Sequence, residues 1–400
     1  MKNINFLFLI VICIISFATS ALAGNTEPNS ESLKTLVSGN NAFAVEMYQK
    51  LATSDKSLFF SPYSVSSALG MTCAGAKDNT AKEMRKTLNF KLSRKLTHST
   101  FKQLNHQLMA NANNSNQKLS IANGLCLISG KVSEKFKAFI KDNYDAEVFN
   151  GDLSVLNAWV KKKTEEKIET ILSQLPPNCV CVLLNAIYFK GTWDSEFEKT
   201  STHNMPFNIT STKKVTIPMM YQRNKFKLLE KNDFKAVSLP YKGNHMSMFI
   251  VLPNKVDGLV DVEKQLTAEN LTAWIDELEK LPGEKTDLAM PKFKLETKYN
   301  LVSKCKSLGI KDAFSPKTAD FRNMGWPIGK LWIAQIIHKA FVEVNEEGTE
   351  AAAATAVVMQ TKSMHFYPSF RADHPFIFVI KDNETGSILF MGKVVNPGAE

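Results

Sequence analysis

The sequence predicts an α+β fold in a single unit. Apolar residues at helical spacing crowd the first half of the 400-residue chain, and strand-like apolar runs crowd the second. No linker, repeat or low-complexity segment separates the halves. At 44% hydrophobic and 22% charged, the composition is that of an ordinary globular protein.

The elements follow in order. Met1-Lys2, the apolar block 6–17 and Ala21-Leu22-Ala23 describe a signal peptide cleaved after Ala23. The block is too short to span a bilayer, so the mature chain, 24–400, is expected to be soluble, secreted and extracellular. Residues 24–35 are polar and read as loose. Phe43, Met47 and Leu51 recur at helical spacing, and Ser61-Pro62 starts a helix continued by Val65, Leu69 and Cys73. Thr80 and Glu83 make a capping-box pattern before Met84 and Leu88. Leu156, Val160, Ile168 and Ile171 mark a longer helix stopped at Pro176-Pro177. Residues 179–189 are almost wholly apolar, a strand buried on both faces. Further strands are expected at 246–252, 289–295, 340–344, 376–380 and 388–395. Helices are expected at 267–281 and 299–308, the latter stopped by Gly309.

Catalytic chemistry finds no support. G-x-S-x-G, H-E-x-x-H, a phosphate-binding glycine loop and a dinucleotide fingerprint are all missing, and no metal-ligand spacing is present. Cys73, Cys126, Cys179, Cys181 and Cys305 remain after the signal peptide, an odd number with no disulfide framework. His338 reads as a structural, hydrogen-bonded histidine. Asn113, Asn208, Asn270 and Asn383 lie in N-x-S/T sequons, candidates for glycosylation. The net charge is +10, or +9 once Lys2 is removed. Residues 82–95 hold six Lys/Arg against one Glu, and 213–235 hold seven against two acids. Either run can be a solvated basic face, or a site for a polyanion; in an exported protein that polyanion is a sulfated glycan rather than nucleic acid.

Residues 344–363, VNEEGTEAAAATAVVMQTKS, stand apart. Four consecutive alanines could open a surface helix. Alternation offers a strand instead: Thr349, Ala351, Ala353, Thr355, Val357 and Met359 make an uncharged face, with Glu350 on the other. A loop able to become a strand is a switch.

Five motifs, in order, resemble the serpin family, over about 41–397. They are Phe60-Ser61-Pro62-Tyr63-Ser64-Val65; the run 184–193, LNAIYFKGTW; His338-Lys339-Ala340-Phe341 leading into 342–354; Asp373-His374-Pro375-Phe376; and Phe390-Met391-Gly392-Lys393-Val394. Antithrombin-type inhibitors are the closest in character. One departure is Glu166, in the expected long helix, where relatives often have glycine. The resemblance implies three β-sheets, about nine helices and an exposed reactive-centre loop at about 346–372. It implies a suicide-substrate inhibitor, not an enzyme: a protease cuts the loop, and the loop inserts as a strand before the acyl-enzyme hydrolyses, trapping it. A non-inhibitory carrier or storage serpin is the alternative. The family's spacing puts the reactive bond at Lys362-Ser363, suited to a trypsin-like protease; Phe366, Tyr367 and Arg371 are competing sites out of register. The hinge would be Glu346, Glu347, Gly348, Thr349, Glu350, Ala351, Ala352, Ala353 and Ala354. Ser61, Asn185 and His338 would cluster under the main sheet, and Trp193 would sit where the loop enters. No cofactor is required. Lys82, Arg85, Lys86, Lys91, Arg94, Lys95 and Lys102, with Lys118 nearby, would be the place for a heparin-like glycosaminoglycan activator. The partners implied are a trypsin-like serine protease and a sulfated polysaccharide, with no nucleic acid, no membrane and a monomeric state.

Overall fold

The structure, a computed structural model, describes residues 27–398 apart from 54, 115–116, 165, 167–168, 176, 178 and 350–366. Helices come first among these residues: α1 (Ser30–Leu51), α2 (Pro62–Gly75), α3 (Asp78–Thr87), α4 (Arg94–Asn114), α5 (Glu134–Tyr144) and α6 (Leu153–Lys163). Three more follow, α7 (Leu259–Gln265), α8 (Ala268–Lys280) and α9 (Val302–Leu308).

The strands build three sheets. The first has the order β10-β11-β12-β4-β2-β3. Its members are β2 (Lys118–Leu127), β3 (Glu147–Asn150), β4 (Cys181–Thr192), β10 (Phe293–Asn300), β11 (Ile333–Val344) and the two-residue β12 (Gly348–Thr349). The second is antiparallel, in the order β1 (Leu58–Phe60), β15 (Ile388–Val394), β14 (Phe376–Asp382), β8 (Met246–Pro253), β7 (Phe234–Pro240), β6 (Lys214–Glu230). The seventeen-residue β6 serves two sheets: residues 227–230 pair with β7, while 214–226 pair with β5 (His203–Asn208) and β9 (Glu284–Pro291). The parallel strand β13 (Ser369–Arg371) completes the third sheet on the far side of β9.

Helix α2 is the pin through this arrangement. All of its residues are buried, as suits a helix of small, apolar and hydroxyl residues with no charge on any face. Ser61 caps it as its sequence requires, the hydroxyl accepting from Ser64 N–H at 3.2 Å.

Several elements differ from the sequence reading. The chain is helical from Ser30, because Asn29 and Ser32 form a capping box, so the segment taken as loose is ordered from there. Thr80 and Glu83 do not cap α3. Thr80 Oγ1 accepts from Asp320 N–H, and Glu83 binds the backbone N–H groups of Lys311 and Asp312, tying α3 to a distant loop. The expected long helix ends at Lys163. Asn157 Oδ1 captures the N–H of Ile171 and Leu172, holding that apolar pair in a small second core without helix. Glu166 therefore lies beyond the helix, and its φ of +65° explains why glycine suits the position. A non-glycine residue there costs roughly 1 kcal/mol.

Candidate functional site

The site is the seam between β4 and β11. Over most of its length these strands pair directly and in parallel, from Ile333 opposite Cys181 to Ala340 opposite Ile187. At the top they part. There the chain leaving β11 turns back and enters between them as β12, antiparallel to both: Gly348 opposite Thr192, Thr349 opposite Gly191 and Val344. The first residues of the expected hinge thus already lie in the sheet.

Local chemistry makes that turn. Asn345 N–H donates to Gly348 O at 2.9 Å, and Asn345 Oδ1 accepts from the N–H of Glu347 and Gly348 at 3.1 and 3.2 Å. Gly348 has φ +150°, and a Cβ on it would stand 2.0 Å from Gly191 O, so the glycine is required by the close approach of two backbones. Trp193 braces the turn, its indole donating to Asn345 O at 3.0 Å and its backbone to Glu347 O at 2.9 Å. The indole stacks on Tyr241 at 4.6 Å between centroids, and the Tyr241 hydroxyl lies 2.8 Å from Thr349 Oγ1. Buried Thr349 therefore has its one polar atom satisfied. The acids before it are buried but paired: Glu346 with Lys292 at 2.9 Å and with the Thr202 hydroxyl, Glu347 with Lys199 at 2.7 Å. Burial pushes the Glu346 carboxyl up, but Lys292 and Thr202 outweigh it and hold it below the usual carboxylate value.

Halfway down the seam, Ser61, Asn185 and His338 come together, with His338 and Asn185 directly opposite across the parallel ladder. Ser61 N–H donates to His338 Nε2 at 3.0 Å. A backbone N–H can only donate, so Nε2 is unprotonated and Nδ1 carries the hydrogen, which it gives to Asn185 Oδ1 at 2.7 Å. The Asn185 amide donates onward to Ser64 and to Asn123 Oδ1, and Asn123 to Ser67 Oγ at 3.0 Å. The chain crosses from β11 through β4 to β2 and down onto α2, wholly buried. His338 lies inside β11, not ahead of it, because the strand runs on along β4 well before the apolar residues at 340–344. Asn123, Ser67 and Tyr241 were not singled out from the sequence, and Ser64 stood there only within the motif 60–65. The signal for Asn123 was an amide within the mostly apolar run Ile121-Ala122-Asn123-Gly124-Leu125-Cys126.

Desolvation lowers the His338 pKa to about 3, and the same effect, helped by Arg94 and Arg85, lowers that of His98 to about 3. Unfolded imidazoles take up protons near the ordinary 6.5 while the folded ones do not. The unfolded state therefore binds more protons in between, and stability falls as pH drops below 6.5. Denaturant melts from pH 7 to 5 should show that loss, at no more than about 1.4 kcal/mol per pH unit for each histidine. A flat profile would place a charged imidazole in the fold.

The sequence model described as Serpin (serine protease inhibitor) matches residues 38–397. The chain belongs to the serpin family. The family is one of protease inhibitors, whose members are generally not catalytic enzymes. Human leukocyte elastase inhibitor is 37% identical over 91% of this chain and all of its own length. Serpin B8 of Bos taurus is 38% identical, covering 90% and 99%. Among solved structures, human kallistatin superposes with a TM-score of 0.83 at 31% identity, covering 92% and 99%, and human thyroxine-binding globulin with 0.82 at 30%, covering 92% and 100%.

These relatives correct one expectation. Leukocyte elastase inhibitor, serpin B6 and serpin B8 belong to clade B, whose members are intracellular, so the secreted, extracellular localisation drawn from residues 1–23 is overturned. The sequons lose their premise with it. The side-chain amide of Asn383 is engaged twice, with Asn244 O and Ser247 Oγ; that of Asn208 bonds Asp373 O and that of Asn270 bonds Gln265 O. Asn113 is exposed at the end of α4.

The basic cluster at 82–102 divides in two. Arg85 and Arg94 are spent on backbone carbonyls, Arg85 on Phe90 and Leu92, Arg94 on Ala74 and Ala76. Lys102 pairs with Asp142 at 2.5 Å. Lys82, Lys86, Lys91 and Lys95 are exposed. Lys362, Ser363, Glu350, Ala351, Ala352, Ala353, Ala354 and Phe366 lie outside the described residues. The competing sites are held elsewhere: Arg371 is in β13, and the Tyr367 ring lies against Arg223 and Lys285.

Proposed function

We propose that this serpin inhibits a trypsin-like serine protease by trapping it as an acyl-enzyme. The protease serine attacks the Lys362 carbonyl, the peptide bond to Ser363 breaks, and the new amino terminus leaves with the Ser363 nitrogen. The freed loop then extends β12 down the seam, displacing the β4–β11 ladder and pairing with both strands. What carries this reading is β12 itself, two hinge residues docked in the sheet with uncharged Thr349 buried and hydrogen-bonded. Kinship with a protein named as an elastase inhibitor supports protease inhibition, while the trypsin-like choice rests on Lys362 alone. The fold alone does not separate inhibitor from carrier, since a thyroxine-binding globulin superposes with a TM-score of 0.82.

Incubation with trypsin followed by denaturing electrophoresis and intact mass tests the proposal. The expected result is a stable complex and a free carboxyl-terminal fragment that begins at Ser363. Cleavage without a complex would favour the carrier.

A further inference from the structure

The basic run at 213–235 plays no part in the entry of the loop into the sheet. Its middle lies instead at the other end of the loop. In the third sheet, Arg223 of β6 stands opposite Asp287 of β9, and Lys225 opposite Lys285. Arg371 of β13 pairs with Ala289, two positions along β9 from Asp287. Alternate strand positions share a face, so Arg223, Lys225, Lys285 and Arg371 project from one exposed side. Two carboxylates oppose them: Asp287 takes Arg223 in a two-pronged bond of 2.6 and 3.0 Å, and Asp373 lies 3.4 Å from Arg371. Lys285 lies in the field of the Asp287 carboxylate, whose direct ion pair is with Arg223. The Arg223 guanidinium carbon is 4.7 Å, and Lys285 Nζ 5.0 Å, from the centre of the Tyr367 ring.

Tyr367 is four residues past Ser363 in sequence. A chain reaches at most about 3.6 Å per residue, so these two α-carbons are within roughly 14 Å. A typical protein interface covers about 800 Å² on each partner, a disc of roughly 16 Å radius. A protease seated on the bond therefore has this face within reach of its footprint. Resting on the Lys362-Ser363 reading, we infer that the Arg223, Lys225, Lys285 and Arg371 face is a docking surface for the protease, matched to an acidic rim on the side of its cleft that holds the residues after the cut. Opposite charge there steers the encounter and acts on the rate of association. A polyanion bound on the same face would stand where the protease must sit, so it would block the reaction rather than promote it.

The test compares rates of covalent-complex formation with anionic and with cationic trypsin, at low and physiological salt. The wild type should favour anionic trypsin roughly tenfold at low salt, with the advantage shrinking as salt screens the charges. Lys225→Glu, alone and with Lys285→Gln, should bring the two rates close to parity. Lys231→Glu, whose wild-type lysine pairs with Glu277, should leave the preference intact. Complexes formed at equal rates by the wild type, or a preference untouched by Lys225→Glu, overturn the surface alone. So does acceleration by heparin that Lys225→Glu abolishes. No complex with either trypsin overturns the reactive bond, and this surface with it.

Discussion

Thr349→Arg turns the inhibitor into a substrate. Thr349 is 1% exposed, flanked by β4 and β11, with its hydroxyl on Tyr241 and Tyr241 stacked on Trp193. Among the described residues the only side-chain hydrogen bond of Thr349 is with the Tyr241 phenol, which cannot neutralise a guanidinium. Burying an unpaired charge there costs about 3–5 kcal/mol, which slows loop insertion by about 10²–10⁴-fold. Deacylation then wins the race. Trypsin should cut the variant to completion while the covalent band disappears from the gel. Thr349→Val keeps the shape and removes only the hydroxyl, so it should still form complex. A full yield of complex from Thr349→Arg would mean that trapping does not need this strand position.

The second large effect is at the bond. Lys362→Ala removes the group that a trypsin-like pocket selects, and inhibition of trypsin should fall by orders of magnitude while the fold and its melting behaviour stay unchanged. Lys362→Phe should move the preference towards a chymotrypsin-like protease. Rescue of trypsin inhibition by the nearby basic residue is not expected, because Arg371 is paired along β9 and cannot be presented as bait. If Lys362→Ala inhibits trypsin as the wild type does, the reactive bond lies elsewhere.

Much of this architecture was legible where burial is uniform. The apolar run at 179–189 became β4, whose residues are nearly all buried, and Ser61-Pro62 became a helix start with the capping bond in place. Gly309 took the left-handed cap expected of it. Legibility failed where polar side chains bind distant backbone. Thr80 and Glu83 have a capping pattern, yet the loop at 311–320 claims both, and no local window contains that loop. Strand β6 went unread because its exposed stretch carries Arg223, Asn224 and Lys225, so its strand-like alternation is blurred. At the site, residue identities could be carried over by resemblance, whereas the docking of Gly348 and Thr349 depends on how far β4 and β11 have parted. That is a property of the sheet and not of the hinge sequence.

Gly348 and Thr349 also bear on timing. Starting a strand is the slow part of adding one, because the first residues are fixed before many hydrogen bonds repay the lost freedom. Here that nucleus exists before any protease arrives, held by the Asn345 turn and by Trp193. Cleavage then begins an elongation, each residue exchanging one rung of a parallel ladder for antiparallel partners on both sides. Those rungs meet one stiff point, the His338–Asn185 bond, three positions below the last apolar pair of the seam at Ala340 and Ile187 if both ends are counted. On the proposed mechanism, the strength of that bond sets the clock against which the protease must hydrolyse its ester.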